Sequence, residues 1–246
     1  MISWTIFKHS LNLIKDNKNA ALKITLPFIV VTLLMHTMLI FEASTDFFNA
    51  AIFSRFMLFA YLIFAVISYP WIAVAWHRYI LIDDYPSLLP RFHGPQIFRY
   101  LVTGTAISLL LVICALPFFI FSHLLALTQS LVYAVLIIAS LGIVVSSVIM
   151  MRLSTILPAA ALNERRSFGE IWTVTRGHTK TFVALLIMIF FANAPMKIIS
   201  IILANAQLPL VSLLWDTFSG FAIVMIGLSV ITTQYGYFVE NRPLQE

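Results

Sequence analysis

The chain has little charge. Charged residues make up 10% of its 246 positions, and only ten residues are acidic; a soluble domain carries about 25% charged residues. Between Tyr100 and Met151 there is no Lys, Arg, Asp or Glu at all. A water-soluble fold could not hide so much apolar surface, whereas a bilayer removes the difficulty by acting as the solvent. Cysteine is also scarce. The one copy, Cys114, excludes an internal disulfide and a thiolate metal cluster, and its place inside an apolar run reads as a small buried hydrophobe. No nucleophile elbow, Walker loop, HExxH helix or glycine-rich phosphate loop occurs. Neither a cofactor nor enzymatic activity is expected, since a membrane enzyme needs several inward acidic or imidazole groups and few are present.

What the chain has instead is apolar residues, 61% of the total. They form long runs that are apolar on all sides, which excludes the alternating pattern of a transmembrane β-strand. A helical span needs about 20 such residues. Six are expected, at 22–41, 56–81, 98–122, 128–151, 179–204 and 213–238, in one all-α domain over 1–246. The fourth could stay helical as far as Pro158, and Pro195 is expected to kink the fifth. The first run is too long for the apolar core of a cleaved signal and reads as a retained span.

The basic residues divide by side. Thirteen of the fifteen Lys and Arg fall in the N-terminal tail, the second-to-third and fourth-to-fifth connections and the C-terminal tail. Only Arg55 and Lys197 fall on the other side. By the positive-inside rule both termini are cytoplasmic, and a count of five or seven spans would mix the sides. The net charge of +5 is interleaved with apolar spans, so it points to anionic headgroups and not to nucleic acid.

Residues 2–18 read as an amphipathic cytoplasmic helix, with Phe7, Leu11 and Ile14 on one face. Residues 167–178 read as a second short helix before span five, with Phe168, Ile171, Trp172 and Thr175 on one side. Gly94 to Arg99 enters span three in a weaker echo of these. Three units result, each an interfacial segment followed by a two-span hairpin; the plainer reading is that loops on one face resemble each other because all are basic and aromatic.

The segment from Arg166-Ser167 to Gly177, with Trp172, Thr175 and Arg176, resembles a recurring segment of uncharacterised bacterial six-span membrane proteins. These include the YciC-like group and the membrane domain fused to some glycerophosphodiester phosphodiesterases. Ala75-Trp76-His77-Arg78-Tyr79 adds to the likeness. It implies a bacterial inner-membrane protein. Phosphodiesterase chemistry belongs to a separate soluble domain and does not carry over.

Three groups of residues are candidates for a site. Arg78 and Trp76, with Trp71 and His77, form one basic-aromatic cluster at headgroup level, and Arg165, Arg166, Trp172 and Arg176 form another. His36, Asn193 and Asp216 are rare polar residues within spans. His36 and Asn193 each lie 13 residues past a lysine, Lys23 and Lys180, hence at one depth, roughly 20 Å in. They could form an outer-half polar cluster, or make separate interhelical and interfacial contacts. His77, Asp83, Asp84 and His93 are metal-ligand types, but their spacing matches no metal pattern, and no metal is expected. Gly142 with Ser146, Gly104 with Ser108, and Gly220 with Gly227 are expected to let helices approach closely. The leading expectation is a non-enzymatic accessory or partner-binding membrane protein. Its partners would be membrane lipids and other membrane proteins. The alternative is a small-solute or proton-linked transporter or channel.

Overall fold

The computed structural model of the chain describes residues 2–42, 50–87, 89–126 and 132–244. Among these the fold is all helical. Its elements are α1 (Ile2–Asp16), α2 (Lys18–Glu42), α3 (Ala50–Ile82), α4 (Gly94–Ala126), α5 (Val132–Leu153), a 3-10 turn (Ser154–Ile156), α6 (Leu157–Leu162), α7 (Phe168–Val174), α8 (Thr179–Asn205) and α9 (Pro209–Phe238). Six helices, α2 to α5, α8 and α9, are long and apolar enough to cross a membrane. The chain is a multi-pass membrane protein. α2, α4 and α9 each begin four residues before the apolar run expected there, at Lys18, Gly94 and Pro209, whereas α8 begins at Thr179 as expected. Pro95 and Pro209 sit at such starts, where the missing amide proton would have had no helical acceptor. Pro27, Pro70, Pro117 and Pro195 lie inside uninterrupted helices, a tolerance typical of spans packed in lipid. The fourth span stays helical past Pro158, as far as Leu162. It tightens into the 3-10 turn first, and Pro158 then opens α6. Asp83, Asn163, Gln207 and Asn241, each one to three residues beyond a helix, take positive φ of 53–63°; Asn and Asp adopt this left-handed turn more readily than most residues.

Hairpin partners pack together: α2 on α3, α4 on α5, α8 on α9. The centre of the bundle is the C-terminal half of α9, which touches α1, α2, α3, α6 and α8. Both chain ends lie at one end of the bundle, since Ser10 of α1 hydrogen-bonds Thr233 near the close of α9. The core gathers there. Ile6, Phe7, Phe182, Leu185, Val230 and Phe238 form one cluster across α1, α8 and α9. Ile24, Phe28, Ile72, Trp76 and Met225 form the next across α2, α3 and α9. Tyr100, Ala73 and Ala161 continue it to α4 and α6. Towards the far end Phe59, Leu62, Phe121, Ile137, Phe190 and Ile202 face outward. In water such a surface would be a liability; on a spanning bundle it is the face that meets acyl chains.

α1 differs from its expected amphipathic form. Phe7 is buried and Ile14 packs on the core, but Leu11 is exposed. On α7, Ile171 and Thr175 are buried while Phe168 and Trp172 turn outward. The middle unit has no separate interfacial helix, because 94–99 is the first turn and a half of α4 itself. Of the glycines expected at close approaches, only Gly142 is one: a Cβ there would lie 2.6 Å from Phe118 Cβ on α4. Around Gly104, Gly220 and Gly227 the corresponding space is open.

Candidate functional site

Four consecutive polar residues close α9: Thr232, Thr233, Gln234 and Tyr235. All four are buried. Successive residues on a helix turn by about 100°, so four in a row point in four directions, and each finds a partner on a different element. Thr232 Oγ1 meets His77 Nδ1 of α3 at 2.8 Å. Thr233 bonds Ser10 of α1 at 2.9 Å. Gln234 Oε1 accepts from Thr155 of the 3-10 turn at 3.3 Å. The Tyr235 hydroxyl donates to Glu164, beyond α6, at 2.7 Å.

The partners assign the His77 tautomer. Thr232 has one hydroxyl proton and donates it to Leu228 O at 2.7 Å. It can therefore only accept from His77, which puts the imidazole proton on Nδ1. In the neutral ring Nε2 is then the acceptor for the Tyr100 hydroxyl, 3.4 Å away, and the two rings stack with centroids 5.7 Å apart. His77 is fully buried and its polar atoms are engaged within the protein.

Asp84 organises the connection after α3. Arg78 Nε lies 2.9 Å from its carboxylate, His93 Nε2 3.1 Å and Arg91 3.9 Å. Burial pushes the Asp84 carboxyl upward, but the hydrogen bond and charge of Arg78, helped by His93, outweigh it and hold the group below the usual carboxylate range. Trp71 Nε1 donates to Arg91 O, and its ring meets Phe92 edge-on. Among the described residues no group of three His, Cys, Asp or Glu side chains could hold a metal ion; His93 Nε2 lies within hydrogen-bond distance of Asp84, and His77 turns inward.

The basic-aromatic clusters divide. Trp76 is fully buried between α2 and α9, so it cannot reach a headgroup and leaves that set. The end of span two is not a lipid-facing belt at Trp76, because protein covers it. Arg78 is mostly shielded, committed to Asp84 and to Ala161 O. Arg165, Arg166 and Arg176 are exposed, and Trp172 is 44% exposed. Arg166 pairs loosely with Glu164 at 3.5 Å; Arg165 and Arg176 make no ion pair among the described residues. α7, which carries Trp172, is set by a reciprocal cap between Ser167 and Glu170. Arg152, at the close of α5, pins it. Its guanidinium carbon lies 3.7 Å over the Trp172 ring. Its nitrogens donate to Trp172 O at 2.9 Å and Thr175 Oγ1 at 3.2 Å. Sequence reasoning counted Arg152 only as one more cation and did not find this arrangement.

Of the far-half polar residues, Asn193 and Asp216 lie apart. The side chain of His36 lies outside the described residues. Asp216 is exposed and accepts from Ser200 at 2.7 Å and Ser212 at 3.3 Å. Ser200 is two helical turns beyond Asn193, about 10 Å along α8, so Asp216 sits outward of Asn193. Asn193 Oδ1 is buried with no hydrogen-bond partner among the described residues. Trp215 Nε1, beside Asp216, donates to Met196 O and ties α9 to α8.

Two clefts accompany these groups. One of about 290 Å³ at the end holding the termini lies between α1, α3, α9 and the C-terminal tail, with His9, Leu13, Thr232, Thr233, Tyr237 and Arg242 among its walls. Arg242 pairs with Glu240 and donates to Leu81 O at 2.8 Å, which folds the tail over this cleft. Burial holds the Glu240 carboxyl above its usual range against the pull of Arg242. The other, about 440 Å³, is at the far end beside Gln207, Ser212 and Asp216. The two share no wall residue. No family model, curated protein or solved structure matches the chain.

Proposed function

We propose that the chain is a non-enzymatic, accessory or partner-binding component of a bacterial inner membrane, with both termini cytoplasmic, and that it holds anionic lipid at the termini-bearing end. The observation that carries this is the set of three exposed guanidiniums, Arg165, Arg166 and Arg176, on the same short segment as the outward-facing Trp172. Two of the three have no acidic partner among the described residues. An indole at an interface with cations beside it suits a phosphate-bearing headgroup. The bacterial inner membrane follows from the resemblance to YciC-like six-span proteins, and the orientation from the distribution of Lys and Arg. The buried polar residues around α9 support a structural and not a catalytic reading, because His77, Thr232 and Tyr235 spend their hydrogen bonds on one another and on neighbouring helices. A transport reading draws on Asp216 in its cleft; it stands second because that cleft and the one at the termini have no wall in common.

Each cation near an anionic surface contributes about 1 kcal/mol. Replacing Arg165, Arg166 and Arg176 together with Gln should deplete the anionic lipid that co-purifies with the protein and remove any rise in melting temperature on adding anionic lipid. An unchanged lipid profile with an unchanged melting temperature would overturn the proposal.

A further inference from the structure

The buried and exposed faces of α1 are both informative. Ser3, Ile6, Phe7 and Ser10 are buried, against Phe182 and Leu185 of α8 and Val230 and Phe238 of α9. The apolar side of this helix is therefore satisfied within the protein. Trp4, Lys8, Leu11 and Lys15 are exposed. Steps of four, three and four residues bring them within an arc of roughly 60° on one side. Trp4 is 56% exposed and Leu11 37%, although packing the helix leaves no need for an apolar residue there. Lys8 and Lys15 make no ion pair among the described residues, and Lys18 and Lys23 on the first turns of α2 are exposed too. Asp16 is the one acidic residue among these four cations.

The height of this face follows from the packing. Ser10 bonds Thr233, which is five residues from the end of α9, and the helix rests on Phe182, three residues into α8. α1 thus lies beside the last turns of α9 and the first turns of α8, where acyl chains give way to headgroups. Aromatic and aliphatic side chains alternating with lysines at that height suit an anionic bilayer surface: the indole and Leu11 enter the interface while the ammonium groups reach phosphate.

We infer that the Trp4–Lys8–Leu11–Lys15 face of α1 is a second lipid-contact surface, selective for anionic phospholipid and separate from the arginines on the segment of Trp172. It rests on the proposed membrane reading. The test uses the full chain in nanodiscs whose acyl chains carry bromine on either phosphatidylglycerol or phosphatidylcholine, at equal mole fraction. The Trp4 fluorescence is taken as the difference between the parent and Trp4→Phe. Brominated phosphatidylglycerol should quench it more than brominated phosphatidylcholine. Lys8→Gln with Lys15→Gln should erase that preference, since local enrichment of anionic lipid falls roughly five-fold for each lysine removed, while quenching by phosphatidylcholine persists. No quenching of Trp4 by either lipid, as when the face is in water or against a soluble partner, overturns the inference. So does equal quenching by the two lipids, or a preference that survives loss of both lysines. Failure of the arginine proposal is read separately, from lipid retained by the Arg165, Arg166 and Arg176 variant, which leaves Trp4 and its lysines intact. A cysteine at Gly94 in a Cys114→Ser background reports orientation in intact cells. Its labelling by an impermeant external reagent would reverse the assigned side without altering the nanodisc result.

Discussion

Replacing Gly142 with alanine should destabilise the bundle, although alanine is the better helix former. In a helix interior the exchange normally gains about 1 kcal/mol. Here the added Cβ would lie 2.6 Å from Phe118 Cβ, 2.9 Å from its Cγ and 3.4 Å from its Cδ2. Carbon atoms prefer about 3.5–4.0 Å, so α4 and α5 must separate by about 1 Å at this level. The nearest atom is a Cβ, fixed to the backbone, and no rotation of the Phe118 ring can relieve the overlap. Overpacking of this kind costs about 1–3 kcal/mol. Because α4 and α5 are one antiparallel hairpin, the separation also loosens their neighbouring contacts, and a net loss of up to about 2 kcal/mol is expected. Unfolding in detergent–lipid micelles should show it as a lower midpoint. The geometry also specifies the rescue. The penalty of Gly142→Ala should persist in a Phe118→Ala background, where the clashing Cβ remains, and shrink in a Phe118→Gly background, where it is gone. Gly104→Ala, Gly220→Ala and Gly227→Ala, where a Cβ meets nothing within 4 Å, should be neutral or stabilising. A Gly142→Ala protein as stable as the parent would refute the close-approach argument.

Two further results are expected. His77→Ala should cost about 1–3 kcal/mol by leaving the Thr232 and Tyr100 hydroxyls buried without their imidazole partner; Thr232→Val added to it should cost little more, and a fully additive loss in the double variant would mean that the pair does not act as a unit. Asp84 is held below the usual carboxylate range, so its contribution is present above the unfolded carboxylate value, about pH 4, and is lost as pH falls through its lower folded value. The stability difference between the parent and Asp84→Asn should therefore be full at neutral pH and shrink on acidification below about pH 4; a gap that does not shrink would remove the ion-pair account of this loop.

Much of the scaffold could be read from the residues because the bilayer imposes simple demands. A run such as Tyr100 to Met151 has one stable environment, and backbone groups in lipid must be satisfied within the helix, so span number and helical character follow from composition. Side-chain partners are a different matter. Ser10 and Thr233 are joined across nearly the whole chain, and His77 finds Thr232 from another hairpin; neither pairing leaves a mark at local spacing. Trp76 shows how a sound local rule can mislead. An indole at the end of an apolar run usually sits in the interfacial belt, but here α2 and α9 cover it. One signal was available. Four polar residues in succession at the end of an apolar helix cannot all face one aqueous side, so Thr232 to Tyr235 implied a helix enclosed all round. That enclosure explains the uneven build of the bundle. Near the termini, polar side chains lock α9 to α1, α3, the 3-10 turn and the connection after α6, each bond needing a particular partner. Further along the spans lipid tails are as apolar as the side chains, so burial gives helices no reason to prefer one another. Where α4 meets α5 fit must hold them, and this is why a single missing Cβ at Gly142 decides their approach.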